Sequence, residues 1–164
     1  KNIPEFAGLG GGSSDCATFI SMVNDVCDLK LSKNELSKIG AEIGADVPFF
    51  IYEYDSANVS GIGEIVKQFN EKIPKFKIIT PNIKCDTSVI FQQLRDGKFY
   101  CKIQKNEIDK LLKTKSVDIL NTLSITEAND LYKPALYCNN KLQKYAKDNW
   151  FFSGSGSSFF KLVN

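Results

Sequence analysis

Four glycines in five positions, Gly8 and Gly10 to Gly12, run into Ser13, Ser14 and Asp15 in this 164-residue chain. Glycine inside a regular element costs roughly 0.5–1 kcal/mol relative to alanine. A cluster of them needs a reason, either a backbone shape or a close approach. The residues that follow have helical spacing: Cys16, Phe19, Ile20, Val23 and Cys27 fall on one face. Ser13 or Ser14 suits the N-cap, and Asp15 suits the positive end of the helix dipole. A glycine loop that opens a helix is an anion site, because free N–H groups point outward and missing Cβ atoms let a phosphate come close. A tight turn before an ordinary helix would use the same residues. A second candidate is Asp46 in "GADVPFF", which follows a helix stop. It either caps the next element or offers a carboxylate to a proton. The chain has no histidine. Ser-His-Asp and Cys-His catalysis and most zinc sites are therefore excluded from it. Proton transfer falls to Asp, Glu, Lys, Tyr or Cys.

Composition narrows the class. With 43% hydrophobic residues the chain can bury one sizeable core or two small ones. The formal charge is +2, with both signs interspersed. No basic stripe or charged tail points to a nucleic acid or membrane partner. The longest apolar runs, "VPFFIY" and "WFF", are too short to span a bilayer. Cys16, Cys27, Cys85, Cys101 and Cys138 are odd in number and contain no C-x-x-C pair. They read as reduced thiols of a cytoplasmic protein, for which no signal peptide is expected.

The elements that must position these residues can be read in order. "LSKNELSKIGAEIG" predicts a helix with a Ser32–Glu35 capping box, a Leu36–Ile39–Ile43 stripe and a stop at Gly44. "SANVSGIGEIVKQF" predicts a bent hairpin. Pro74 marks a change of domain, giving residues 1–72 and 73–164. "FKIITP" predicts a strand ended by Pro81, and "DTSVIFQQLRDG" a helix capped by Asp86 or Thr87 and stopped at Gly97. Two further helical stretches follow, the second broken or started at Pro134. "WFFSGSGSSFFKLV" predicts two β runs around a Ser/Gly turn. The second half is thus a small α+β sandwich.

The glycine loop differs from two common phosphate loops. No lysine follows it as in G-x-x-x-x-G-K-[ST], and Ser13 stands where G-x-G-x-x-G needs its third glycine. "IPEFAGLGGGSSD" instead resembles the phosphate loop of the GHMP kinases. Its long G-L-G-G-G-S-S-[DN] form is similar to that of the branch acting on 4-diphosphocytidyl-2-C-methyl-D-erythritol, in isoprenoid precursor synthesis. "GADVP", "GIGE" (Gly61–Glu64), "NDL" (Asn129–Leu131) and "SGSGSS" (Ser153–Ser158) follow in the family's order. Cys16 departs from the usual alanine, and Glu5 and Phe6 fall at variable positions.

The resemblance implies a GHMP two-domain α+β fold, with part of a nucleotide domain followed by a ferredoxin-like C-terminal domain. It implies a small-molecule kinase that uses ATP and Mg²⁺ to phosphorylate the 2-hydroxyl of the cytidine diphosphate methylerythritol. Alternatives are a GHMP kinase of mevalonate or homoserine type, or a non-catalytic phosphate-binding module. Asp46 would face the acceptor hydroxyl. Pro4, Glu5, Phe6, Ala7, Gly8, Leu9, Gly10, Gly11, Gly12, Ser13 and Ser14 would bind ATP, with Ser13 or Ser14 near the metal, whose ligands are otherwise unknown. Ser153, Gly154, Ser155, Gly156 and Ser157 would form a supporting glycine-rich motif. Phe91 would stack on the cytosine, although its helical pairing with Leu94 equally suits a core. The chain starts at Lys1 without methionine, and "KNI" reads as the end of a strand. The expectation is that an N-terminal segment, including a lysine paired with the aspartate, is missing, and that this chain is inactive by itself.

Overall fold

The computed structural model describes residues 2–97, 99 and 103–163, so the expected thiol at Cys101 lies outside the described residues. The chain divides into two compact units, Gly10–Ile73 on one hand and Lys1–Leu9 with Pro74–Asn164 on the other.

The first of these is three helices and a hairpin. Helix α1 spans Gly11–Val26, α2 Lys33–Ile43 and α3 Val47–Tyr52. Helix α2 starts at the expected capping box. The Glu35 N–H donates to Ser32 Oγ at 3.3 Å, and Ser32 N–H donates to Glu35 Oε2 at 2.8 Å. Those bonds from Ser32 hold the Glu35 carboxyl below the ordinary carboxylate range. Gly44 does stop α2, in an extended conformation. The expected stripe is only partly buried: Leu36 packs inward with Ser37 and Gly40, while Ile39 and Ile43 are exposed. Gly40 explains the shift of face. A Cβ there would come within 2.8 Å of both Val47 and Ile51, so its absence lets α3 lie against α2. The core is Ala17, Leu36, Val47 and Ile51, with Cys16, Ile20, Leu31 and Phe50 packed on it. Phe19, expected on the inner face of α1, is 61% exposed, because small Ala17 is the contact point. Strands β1 (Ala57–Ser60) and β2 (Ile65–Gln68) form the expected antiparallel hairpin.

The other unit is α+β, as expected. Strands β3 (Phe76–Ile79), β4 (Phe151–Phe152) and β5 (Phe159–Leu162) form an antiparallel sheet in the order β3–β5–β4. Asn2 and Ile3 join no strand among the described residues, where "KNI" was expected to lack its strand partners. Helix α4 (Thr87–Asp96) starts at Asp86, whose carboxylate accepts from the N–H groups of Ser88 and Val89, and it ends at Gly97. Helices α5 (Lys105–Leu111), α6 (Ser116–Thr122), α7 (Ile125–Ala128) and α8 (Tyr132–Cys138) follow, then a 3₁₀ turn over Asn140–Tyr145. Pro134 falls in the first turn of α8, where its missing N–H does no harm. Cys85, Ile90, Tyr132, Ala135, Leu142, Phe152 and Phe159 make the core.

Two outcomes test this core. Leu142 is fully buried, and Leu142→Ala is expected to lower unfolding free energy by about 2–5 kcal/mol in urea titrations. Burial, and secondarily the nearby Cys138, push the Cys85 thiol up to about 11. At pH 8 the exposed Cys27 and Cys138 should therefore alkylate rapidly, whereas Cys85 should react only once the unit opens. Peptide mass mapping after a short iodoacetamide pulse checks this.

Candidate active site

The start of α1 differs from the expected one. The N-cap is Gly10, in the left-handed conformation with φ +66°, and it makes no side-chain cap bond. Ser13 and Ser14 are already inside the first turn, and Asp15 lies beyond it. The Ser14 hydroxyl donates back to the Gly11 carbonyl at 3.0 Å. A left-handed glycine turns the chain straight into the helix, so no serine cap is needed. Helix geometry leaves the N–H groups of the first turn without intrahelical acceptors. Gly10 also meets α3 closely: a Cβ there would stand 2.8 Å from the Phe50 ring.

Gly12 is different. It is exposed, its backbone is helical, and a Cβ there would meet nothing within 4 Å. Folding gives this position no reason to be glycine. Alanine would add about 1 kcal/mol of helix propensity. The missing methyl leaves open space against the helix N-terminus.

Asp46 directly precedes α3 and is exposed, and its side chain makes no cap hydrogen bond. Pro48 in the first turn removes one donor that a cap would have satisfied. The capping role that sequence allowed is thus not used. The segment before Asp46 is held from the side by the "GIGE" turn. Gly63 is buried at φ +128°, and a Cβ there would strike the Ala45 carbonyl. Glu64 secures the same turn by accepting from the Ile62 N–H at 2.7 Å.

In the other unit, the stem of the glycine loop docks on the "SGSGSS" turn. Phe6 O accepts from Ser157 N–H at 3.2 Å and from Cys85 N–H at 3.3 Å. Ala7 O accepts from Ser158 N–H at 3.0 Å, and Gly8 O from Ser153 Oγ at 2.7 Å. Gly8 has φ +66°, and a Cβ on it would collide with the Ser153 carbonyl. The remaining serines face inward. Ser155 shares a hydrogen bond with Thr87, Ser158 with Thr80, and Ser157 Oγ donates to the Pro81 carbonyl. All three are buried. Their hydroxyls are used in hydrogen bonds within the protein.

Phe91 is 41% exposed on α4, while its neighbours Ile90 and Leu94 are buried. It is therefore not a core residue. Burial raises the Tyr132 phenol, which packs edge-on against Phe159 below the turn. Among the described residues no cluster of three or more His, Cys, Asp or Glu could hold a metal, and no helix is long and apolar enough to cross a membrane.

Residues 1–54 match the model of the GHMP kinases N terminal domain. The 4-diphosphocytidyl-2-C-methyl-D-erythritol kinase of Sulfurimonas denitrificans is 50% identical over 162 residues, 99% of this chain and 60% of the relative. Over its first 54 residues the chain is similar to the GHMP kinases, and over nearly all of its length to this relative. The enzyme of the same name from Campylobacter jejuni serotype O:23/36 is 40% identical over 99% of the chain and 64% of its own length. A crystal structure of 4-(cytidine 5'-diphospho)-2C-methyl-D-erythritol kinase superposes with a TM-score of 0.71 at 26% identity, over 100% of the chain and 60% of that structure. The chain thus spans about 60% of the length of the relatives it matches. The fold class read from sequence is borne out.

Sequence reasoning missed how Asn129 is used. Its side chain bonds to residues more than 20 positions away (see below), and only "NDL" at a helix boundary hinted at it.

Gly8→Ala tests the docked stem. The strained φ and the collision with backbone are expected to cost about 1–3 kcal/mol. The Ser157 and Ser158 amides should lose protection in hydrogen exchange. Unchanged exchange would show that the stem tolerates a side chain.

Proposed function

We propose that this chain supplies the phosphate loop and the acceptor-side carboxylate of a kinase that uses ATP to phosphorylate the 2-hydroxyl of 4-diphosphocytidyl-2-C-methyl-D-erythritol. The observation that carries the reading is Gly12. It sits at a helix N-terminus with no packing reason to lack a Cβ. A ligand that must approach the backbone supplies that reason, and an anion suits the exposed N–H groups and the dipole. The names of the relatives point to a kinase and to the cytidyl substrate, and ATP is the phosphoryl donor proposed for it.

In this reading the ATP phosphates lie on the N–H groups of Gly11, Gly12 and Ser13. Phosphoryl transfer needs mainly positioning and charge stabilisation, because its transition state is loose. Asp46, free of a cap bond, orients the acceptor hydroxyl and takes its proton. Mg²⁺ prefers oxygen ligands and keeps several waters. It would come with the nucleotide, with the Ser13 and Ser14 hydroxyls as the donors nearest the loop, and it would neutralise phosphate charge. Phe91, exposed on α4, is the proposed platform for the cytosine ring. The place of action is the cytoplasm.

The assay is ATP-dependent phosphorylation of the cytidyl substrate, with mevalonate and homoserine as competitors, by the gene product that carries this sequence. Phosphorylation of mevalonate or homoserine in its place would refute the substrate. Asp46→Asn is expected to leave Tm nearly unchanged, since no cap bond is lost, and to cut kcat by on the order of 10²-fold or more. Near wild-type kcat would remove Asp46 from the chemistry. Gly12→Ala should keep or raise Tm while raising the ATP KM about 10-fold or more. A stabilised variant with normal KM would take the phosphate away from this turn.

A further inference from the structure

We propose that Asn129 is the positioning residue of the glycine-loop stem: its amide fixes the turn on which Phe6, Ala7 and Gly8 are docked. The inference rests on the reading of that loop as the ATP site. Asn129 Nδ2 donates to two carbonyls, Phe152 O and Gly154 O, each at 2.9 Å. Its Oδ1 accepts from the Leu131 N–H, also at 2.9 Å. These partners fix the amide orientation, because two acceptors must face the NH₂ and one donor must face the oxygen. Both hydrogens of the NH₂ are used, and one side chain spans the carbonyls on either side of Ser153. Ser153 is the residue whose hydroxyl holds Gly8 O at 2.7 Å.

Neither aspartate nor alanine reproduces this pattern. Aspartate keeps the acceptor for Leu131 but places carboxylate oxygen against two carbonyl oxygens. Alanine leaves both carbonyls without the amide. The stem leads into Gly10 through Leu9 alone, so freedom in Gly8 passes directly into the start of α1. Asn129 is therefore expected to act on nucleotide affinity through the backbone, without touching nucleotide.

The test uses the gene product that carries this sequence, with Asn129→Asp, Asn129→Ala and Ser153→Ala. Hydrogen exchange at the Ser157 and Ser158 amides reads the docking, and KM for ATP against kcat reads the consequence. Both Asn129 variants are expected to exchange at least 10-fold faster at these amides and to raise the ATP KM 10-fold or more, Asp above Ala. The kcat at saturating ATP should stay within about 3-fold. Ser153→Ala should move both readouts the same way by less. Unchanged exchange in Asn129→Asp overturns the proposal, as does faster exchange with unchanged KM. If neither Asn129 variant folds, Ser153→Ala decides, and a normal KM in it overturns the proposal. A wild type that transfers no phosphate from ATP refutes the kinase reading instead, and the exchange arm still tests the docking.

Discussion

Three successive backbone carbonyls, those of Phe6, Ala7 and Gly8, are taken by one turn, Ser153–Ser158. A glycine-rich segment in water has too many conformations to hold any one shape. Donors on a second segment remove that freedom. The donors differ in kind, two backbone N–H groups and one hydroxyl, and the turn that carries them is itself pinned. Ser157 and Ser158 hold the β3 end through Pro81 and Thr80, and Ser155 holds Thr87 at the start of α4. A motif rich in hydroxyls thus spends most of them on its own packing.

The same economy of small residues recurs in the helical unit, for other reasons. Gly40 is small so that α3 can approach, Gly63 so that the hairpin can meet Ala45, and Gly10 so that the chain can turn into α1. Each of these has a neighbour that a Cβ would strike. Gly12 has none, so packing does not explain why it is glycine.

Local signals were legible in the sequence. The Ser32–Glu35 box, the Asp86 cap with its Gly97 stop, the hairpin over 57–68 and the final β pair all depend on residues a few positions apart. Signals that depend on neighbours in space were not. Ser13 and Ser14 are good caps, yet a left-handed Gly10 made them unnecessary. Ile39 and Ile43 have the right period, but the close approach at Gly40 chose another face of α2. The six-residue helix "VPFFIY" is too short for periodicity to declare itself. For Asp46, the sequence allowed both cap and chemistry, and the structure shows only that no cap bond is made.

The bond from Ser153 to Gly8 joins residues 145 positions apart. Contacts so distant in sequence form slowly, because loop closure must come before any gain. During synthesis α1 to α3 have all their core partners long before Ser153 is made. The stem must wait for β4 and β5. A ribosome-bound chain can therefore hold a formed α1 and an unformed stem at once. Docking of the stem is therefore a later event than the packing of α1 to α3.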